Sequence, residues 1–226
     1  MGVLPLLSHA LYATWRHDQG RRLTCLGYRQ VGRVQGAVAA TAGAAYDRLT
    51  PAQQRVARRL LVRLVHVGVD TPDTRRVVRI ADLLSAFGAD AAEAQTVLDL
   101  FIAQRLVTAE LGTVQISHEA LLTAWPALRE WLAADRAGLV LRQQVAAAAT
   151  GWRGEQRDPA ALYAGARLAA AQEWAAEHPD EVSPLEREFL DHSLRNVRRR
   201  TRRLYQTVAA LTALVLIACV LAGYTF

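Results

Sequence analysis

The feature that most constrains this chain is an uncharged apolar segment at residues 204–226, with the sequence LYQTVAALTALVLIACVLAGYTF. A helix of this length spans roughly 30 Å of hydrocarbon with some tilt. Tyr205 and Tyr224 flank its apolar part, where amphipathic rings favour the membrane–water interface. A core helix that is apolar on every side would be unusual in a chain of 226 residues. The segment therefore predicts one transmembrane helix at residues 204–226.

A run of arginines immediately precedes this segment. Residues 1–194 contain 21 arginines and 21 acidic residues, so the net charge of +6 comes from the run alone. Positive residues stay on the cytoplasmic side, and they attract anionic lipids. We therefore expect a single-pass, tail-anchored membrane protein with residues 1–203 in the cytoplasm. The candidate lipid-binding residues are Arg195, Arg198, Arg199, Arg200, Arg202 and Arg203.

The composition argues against an enzyme. All 27 basic residues are arginine, so the lysine of a Walker A phosphate loop and a Schiff-base lysine are both missing. The two cysteines, Cys25 and Cys219, are too few for a disulfide scaffold or a cysteine zinc cluster. The HEALL sequence at His118 has leucine where a zinc-protease helix needs its second histidine. We therefore expect no catalytic and no metal-binding residues.

Two helix starts are marked by capping boxes. Thr50 precedes Pro51 and is followed three residues later by Gln53, and Ser183 is followed in the same way by Glu186. The second helix is expected to continue through the arginine run into the apolar segment. Residues 33–48 predict a helix of small residues, in which Gly36 and Gly43 suggest close packing against another element.

Helical and hairpin patterns alternate in the middle of the chain. Residues 91–106 have helical apolar spacing, residues 107–111 and 114–117 read as a β-hairpin around Gly112, and residues 118–132 return to helix. Helices followed by a hairpin and another helix predict a winged helix. The fold class is therefore mainly α, with four parts. These are a helical domain (1–49), a winged helix with a small β-hairpin (50–134), a helical stalk (135–203) and the transmembrane helix (204–226).

A winged helix could bind DNA through phosphate contacts from the arginines of the helix after Pro51. The alternative is a solvated helix face, and the neutrality of residues 1–194 favours that alternative. We do not expect a nucleic-acid partner. The residues concerned are Arg55, Arg58, Arg59 and Arg63.

Several motifs occur in a recognisable order: LPLLSHALYATW, LTCLGYRQVGRVQGAVAATAGAAYDRL, VRLVHVGVDTPDTRRVV and VQISHEALLTAWPALREWL. Together they resemble the C-terminal half of the novel STAND NTPases of actinobacteria. The later segment ALYAGARLAAAQEWAAEHPDEVSPLEREFLDHS, with the arginine run and apolar helix, is also similar to that family. The resemblance implies a signalling switch in which a P-loop ATPase core precedes a helical domain and a winged helix. Nucleotide exchange then releases these domains from one another.

The resemblance also implies two nucleotide-binding residues. In the related NB-ARC class, the proline of a Gly-Leu-Pro-Leu-like helix start contacts the nucleotide, and Pro5 stands in the similar sequence GVLPL. A winged-helix histidine of that class approaches the β-phosphate of ADP, and His118 resembles it. A histidine near a helix start can attract anions. A purely local role for His118, in capping or packing, stays open.

The family's Walker A and Walker B motifs would precede Leu4, so this chain is expected to be a fragment that does not hydrolyse ATP alone. It should bind no cofactor by itself, and ADP or ATP only when joined to a P-loop core in cis or in trans. The other expected partners are signalling proteins and anionic lipids, and oligomer formation on activation is compatible with this reading. Two alternatives stay open. One is a membrane-anchored adaptor that binds protein and no nucleotide, and the other is a membrane-tethered winged-helix DNA binder.

Overall fold

The computed structural model describes residues 11, 14, 15, 23–25 and 33–224, and in these residues the chain is mainly helical with two small antiparallel sheets. Side chains of the long stretch are described for residues 36–215 and 217. The helices are α1 (Arg33–Asp47), α2 (Pro51–Arg63), α3 (Ile80–Ser85), α4 (Ala91–Ala103), α5 (Ala120–Ala124), α6 (Pro126–Ala134), α7 (Arg136–Gly154), α8 (Gly165–Glu177) and α9 (Pro184–Tyr224). Short 3₁₀ turns occur at Gly88–Asp90 and Pro159–Ala161.

Five short strands form two separate sheets. The strands are β1 (Val65–His66), β2 (Thr74–Arg75), β3 (Val78–Arg79), β4 (Val107–Glu110) and β5 (Thr113–Ile116). In the first sheet β1 pairs with β2, Val65 with Arg75 and His66 with Thr74. The second sheet has the order β3-β5-β4, so that β5 lies in the centre and pairs with a strand on each side.

The hairpin between β4 and β5 was predicted from the sequence and is confirmed. Its turn lies at Leu111 and Gly112, whose φ angles are 48° and 77°. This left-handed backbone conformation costs glycine little, which explains why Gly112 marks the turn in the sequence. The adjacent β3 is tied to the same turn, because the Ile80 N–H donates to the Gly112 carbonyl at 2.9 Å.

Both predicted capping boxes are present. At α2, the Gln53 N–H donates to Thr50 Oγ1 at 3.3 Å, and Gln53 Oε1 accepts from the Thr50 N–H at 3.1 Å. At α9, Glu186 Oε2 accepts from the Ser183 N–H at 2.7 Å, and the Glu186 N–H donates to Ser183 Oγ at 3.2 Å. From this cap α9 continues as one helix of 41 residues through the arginine run to Tyr224, as predicted.

Two expectations are wrong. The helix predicted at residues 118–132 is two helices, because Trp125 is extended, with φ −87° and ψ 112°. Trp125 precedes Pro126, whose ring disfavours helical backbone in the residue before it. The close packing expected at Gly43 is also absent, since a methyl group built there meets no atom of the described structure within 4 Å.

The chain divides into two compact units, residues 1–144 and residues 145–226, and the division falls within α7. The first unit has one continuous core that runs from Val38 to Leu139 and includes α1, α2, α4 and β5. Large side chains also fill the second unit, namely Trp152, Tyr163, Leu168, Trp174 and Phe189. The domain boundaries proposed from the sequence remain predictions.

Within the described residues, no helix is long and apolar enough to cross a membrane. The side chains of residues 216 and 218–226, which belong to the apolar segment, lie outside the described residues.

Candidate functional site

The chain is firmly held where it leaves β5. Ile116, the last residue of the strand, is fully buried. The N–H of the next residue, Ser117, donates to the Leu106 carbonyl at 2.9 Å, and its hydroxyl lies 2.7 Å from the hydroxyl of Thr108. The backbone at Ser117 is thus fixed to the start of the neighbouring strand β4. This attachment sets the position of the next residue, His118.

His118 follows directly and is half-buried between β5 and α5. Its carbonyl accepts a hydrogen bond from the Leu121 N–H at 2.9 Å, which closes the turn that leads into α5. The candidate sensor residue therefore sits on a short junction whose two ends are both defined by hydrogen bonds. The sequence placed His118 correctly between a hairpin and a helix.

Arg75 reaches this junction from the other sheet. Its Nη1 donates to the carbonyls of Ile116 at 3.3 Å and Ser117 at 3.1 Å. The Ser117 carbonyl belongs to the peptide bond that joins Ser117 to His118, so the guanidinium lies beside the His118 backbone. Sequence reasoning missed this contact because it joins residues more than 40 positions apart. The basic sequence TRRVVR at residues 74–79 is the one local signal that could have drawn attention to the segment.

The segment that contains Arg75 is positively charged. Residues 74–79 include Arg75, Arg76 and Arg79 and no acidic residue. In the described part of the chain, none of these three forms an ion pair with a carboxylate. The preceding acid, Asp73, is paired with Arg136 at 2.7 Å. Arg75, the one of the three that contacts the His118 junction, is therefore not neutralised by a carboxylate of the described residues.

Three aromatic side chains pack together where α5 ends and α6 begins. The rings of Trp125 and Trp131 are 5.2 Å apart, and Tyr46 of α1 lies 5.9 Å from Trp125 and 5.2 Å from Trp131. Tilted and edge-on contacts at these distances are favourable for aromatic rings. Burial raises the pKa of Tyr46, and the nearby Asp47 adds to this, whereas Arg58 opposes it. The cluster therefore lies at the C-terminal end of α5, the helix that begins two residues after His118.

The four α2 arginines that could contact DNA phosphates do not share one solvated face. Arg59 lies 3.6 Å from the Asp90 carboxylate and stacks over the Phe87 ring at 4.8 Å. Arg63 is only 8% exposed and lies 5.9 Å from the same ring. The expectation of a solvated face is therefore wrong for these two residues. Arg55 and Arg58 are exposed, as expected.

The other predicted site residues are placed as follows. Pro5 lies outside the described residues. All six arginines of the run are exposed on α9. Among the residues that the structure describes, no group of histidine, cysteine, aspartate and glutamate could hold a metal ion.

A family model described as novel STAND NTPase 1 matches residues 1–160. The chain belongs to the novel STAND NTPase 1 family. The novel STAND match includes both sheets, Arg75 and His118, whereas α8 and α9 lie beyond it. Comparisons with curated proteins and with solved structures give no match.

Proposed function

We propose that this chain is the regulatory and membrane-anchoring part of a STAND-type signalling NTPase. In this proposal, residues 50–134 form a winged helix that senses ADP or ATP held by a separate P-loop core. Membership of the novel STAND family supports the connection to such a core. The observation that carries the proposal is the hydrogen-bonded junction that holds His118 between β5 and α5.

The order of elements supports the winged helix. After α2 the chain makes the separate pair β1 and β2, then β3, then the helices α3 and α4, and then the hairpin of β4 and β5. The three strands pair as one antiparallel sheet beside the helices. A helical core with a three-stranded sheet and a terminal hairpin is the arrangement expected of a winged helix.

The position of His118 at this junction suits a phosphate group. A protonated histidine donates charge-assisted hydrogen bonds to phosphate oxygens, and such bonds are strong. Because the chain has no lysine, the P-loop lysine must come from the core. The contact from His118 favours the nucleotide state in which a phosphate oxygen comes within reach. A ligand shifts a conformational equilibrium by this kind of difference in affinity.

The anchoring role rests on α9. Its arginine run is exposed and passes without a break into the helical, uncharged residues that follow. We propose that residues 204–226 cross the membrane, that the arginines contact anionic lipid headgroups, and that residues 1–203 lie in the cytoplasm. The nucleotide switch would then act at the membrane surface.

The nucleotide role is tested by supplying a P-loop core of the same family and measuring ADP affinity. His118→Ala should weaken ADP binding by about tenfold or more, since hydrogen bonds to charged groups contribute roughly 1.5–3 kcal/mol. His66→Ala is the matched control, because His66 is exposed on β1 and takes no part in the junction. Equal ADP affinity of His118→Ala and the unmodified chain would contradict the sensor.

The anchoring role is tested by deleting residues 204–226 and separating membranes from the soluble fraction. The shortened chain should become soluble without detergent. Replacing the six arginines by glutamine is a separate variant, which should stay in the membrane but bind less tightly to vesicles rich in anionic lipid. Recovery of the full chain in the soluble fraction without detergent would refute the anchor.

The DNA-binding alternative has less support. Helix α4 occupies the position of a recognition helix, yet it has Glu93 and Asp99 and no arginine. Phosphates would meet negative charge there. Arg59 and Arg63 are also engaged with Phe87. We therefore expect no salt-dependent retardation of DNA. The adaptor alternative would stand if the core and nucleotide tests both fail while the anchor test succeeds.

A further inference from the structure

We infer that Arg75 and His118 contact the same phosphate group, so that Arg75 is a second anion-binding residue of the site. The inference rests on the proposed function, because it names a further residue of the same sensor. Arg75 and His118 are 43 positions apart in the chain, and the pairing of β1 with β2 brings Arg75 to the junction.

The hydrogen bonds of Arg75 determine which part of its guanidinium is available. Nη1 has two N–H groups, and its two bonds to the carbonyls of Ile116 and Ser117 use them. Three N–H groups remain, on Nη2 and Nε, and within the described residues none of these has a partner. A guanidinium presents such groups in a rigid fork that matches the oxygens of a phosphate. The two carbonyls therefore orient the guanidinium and leave its fork available.

The surrounding charges favour an anion at this fork. Asp73, the acid nearest in sequence, accepts from Arg136 Nη1 and Nη2 and from the Gly68 N–H, so its charge is compensated. Glu119 follows His118 but is exposed and forms no ion pair with Arg75 in the described structure. No carboxylate of the described residues therefore competes with a phosphate for Arg75.

A purely structural role for Arg75 makes a different prediction. Holding the two carbonyls requires only two N–H groups, whereas binding phosphate requires the positive charge and the fork. Arg75→Gln keeps an NH₂ group that can donate to carbonyls but removes both the charge and the fork. Arg75→Lys keeps the charge without the fork. The two variants therefore separate the roles.

The experiment uses the full chain in uncharged detergent micelles, titrated with inorganic pyrophosphate and followed by NMR. The Nε–H of Arg75 and the backbone N–H of His118 should shift together with a single Kd. Arg75→Gln should raise that Kd at least tenfold, and Arg75→Lys by less. Arg55→Gln is the matched control, because Arg55 is exposed on α2 away from the junction, and it should leave the Kd unchanged.

The other outcomes separate this inference from the proposed function. If His118 responds and Arg75→Gln leaves the Kd unchanged, the role of Arg75 is refuted and the sensor stands. If the Arg75 Nε–H of the His118→Ala chain shifts with the same Kd as in the unmodified chain, the shared site is refuted together with the sensor. If neither signal responds more than it does to sodium chloride of equal ionic strength, the inference is overturned. The ADP measurement with the added core then decides the proposed function by itself.

Discussion

The side-chain amide of Gln143 pairs with the backbone of Val67 much as a neighbouring strand would. Its oxygen accepts from the Val67 N–H at 3.1 Å, and its NH₂ group donates to the Val67 carbonyl at 3.4 Å. Arg136, two turns earlier on α7, donates to the Gly68 carbonyl at 2.7 Å and to Asp73. Helix α7 thus holds both ends of the loop that joins β1 to β2, and β2 contains Arg75.

Gln143→Leu should destabilise the first unit. Val67 is buried, so removing the amide leaves a donor and an acceptor of its backbone unsatisfied, which costs about 1–3 kcal/mol for each buried group left without a partner. Urea unfolding followed by circular dichroism measures the change. Gln143→Glu is a second variant, which keeps the acceptor for the Val67 N–H but replaces the donor to the Val67 carbonyl by a carboxylate oxygen. A Gln143→Leu chain as stable as the unmodified chain would show that this pairing contributes nothing.

Alanine at two glycines should have opposite effects. A methyl group at Gly68 would overlap the carbonyl and hydroxyl oxygens of Thr71, so Gly68→Ala must displace the loop backbone. At Gly43, in the middle of α1, the space is open, and alanine there should stabilise the helix by roughly 0.5–1 kcal/mol. Thermal unfolding of the two variants should therefore shift in opposite directions. Unfolding temperatures that shift in the same direction for both variants would contradict this prediction.

The two capping boxes should differ in strength. Ser183 and Glu186 are buried, and the acceptor is a carboxylate, whereas Thr50 is exposed and its partner Gln53 is neutral. Hydrogen bonds to charged groups contribute about 1.5–3 kcal/mol and neutral ones about 0.5–1.5 kcal/mol. Glu186→Ala should therefore cost more unfolding free energy than Gln53→Ala. Glu186→Gln, which keeps an acceptor of the same size, should recover part of the loss. Equal costs at the two helices would contradict this ranking.

The free energy of unfolding should fall at high pH through Tyr46. Burial raises its pKa in the folded chain above the ordinary value of 10.0, so ionisation is easier in the unfolded chain. The contribution is fully present below the unfolded pKa and is lost as pH rises through the folded pKa. Denaturation in urea at about pH 8 and about pH 11 should show a smaller difference for Tyr46→Phe than for the unmodified chain. An unchanged difference would show that Tyr46 ionises equally well in both states.

Features governed by neighbouring residues could be predicted from the sequence. Both capping boxes and the hairpin turn depend on a few adjacent side chains, and all three are found. The break at Trp125 follows from Pro126 alone and was open to the same reasoning, but the apolar spacing of residues 118–132 obscured it. The apolar spacing of a helix does not change when one of its residues is a proline, so the spacing alone does not show the break.

Long-range contacts could not be predicted in this way. The pairing of β1 with β2 involves only two residues in each strand, too few for a recognisable pattern. The sequence pattern puts Arg59 and Arg63 on a charged helix face. In the structure both guanidinium groups lie over the ring of Phe87, which belongs to the connection between α3 and α4. The hydrogen bonds from Arg75 to the His118 junction depend on how the β1–β2 sheet is placed beside the end of β5. For the candidate site, the sequence therefore indicated His118 and missed its neighbour.

The exposure of α9 determines how its backbone behaves in different surroundings. Among the side chains of α9 that the structure describes, the last buried one is Ser193, and every side chain from residue 198 to residue 215 is exposed, over about 27 Å of helix. An isolated helix of this length is marginal in water, because packing supplies most helix stability. The amide hydrogens of residues 198–215 should therefore exchange rapidly with deuterium in water. Slow exchange of the same amides in lipid vesicles would show that the bilayer supplies the missing packing.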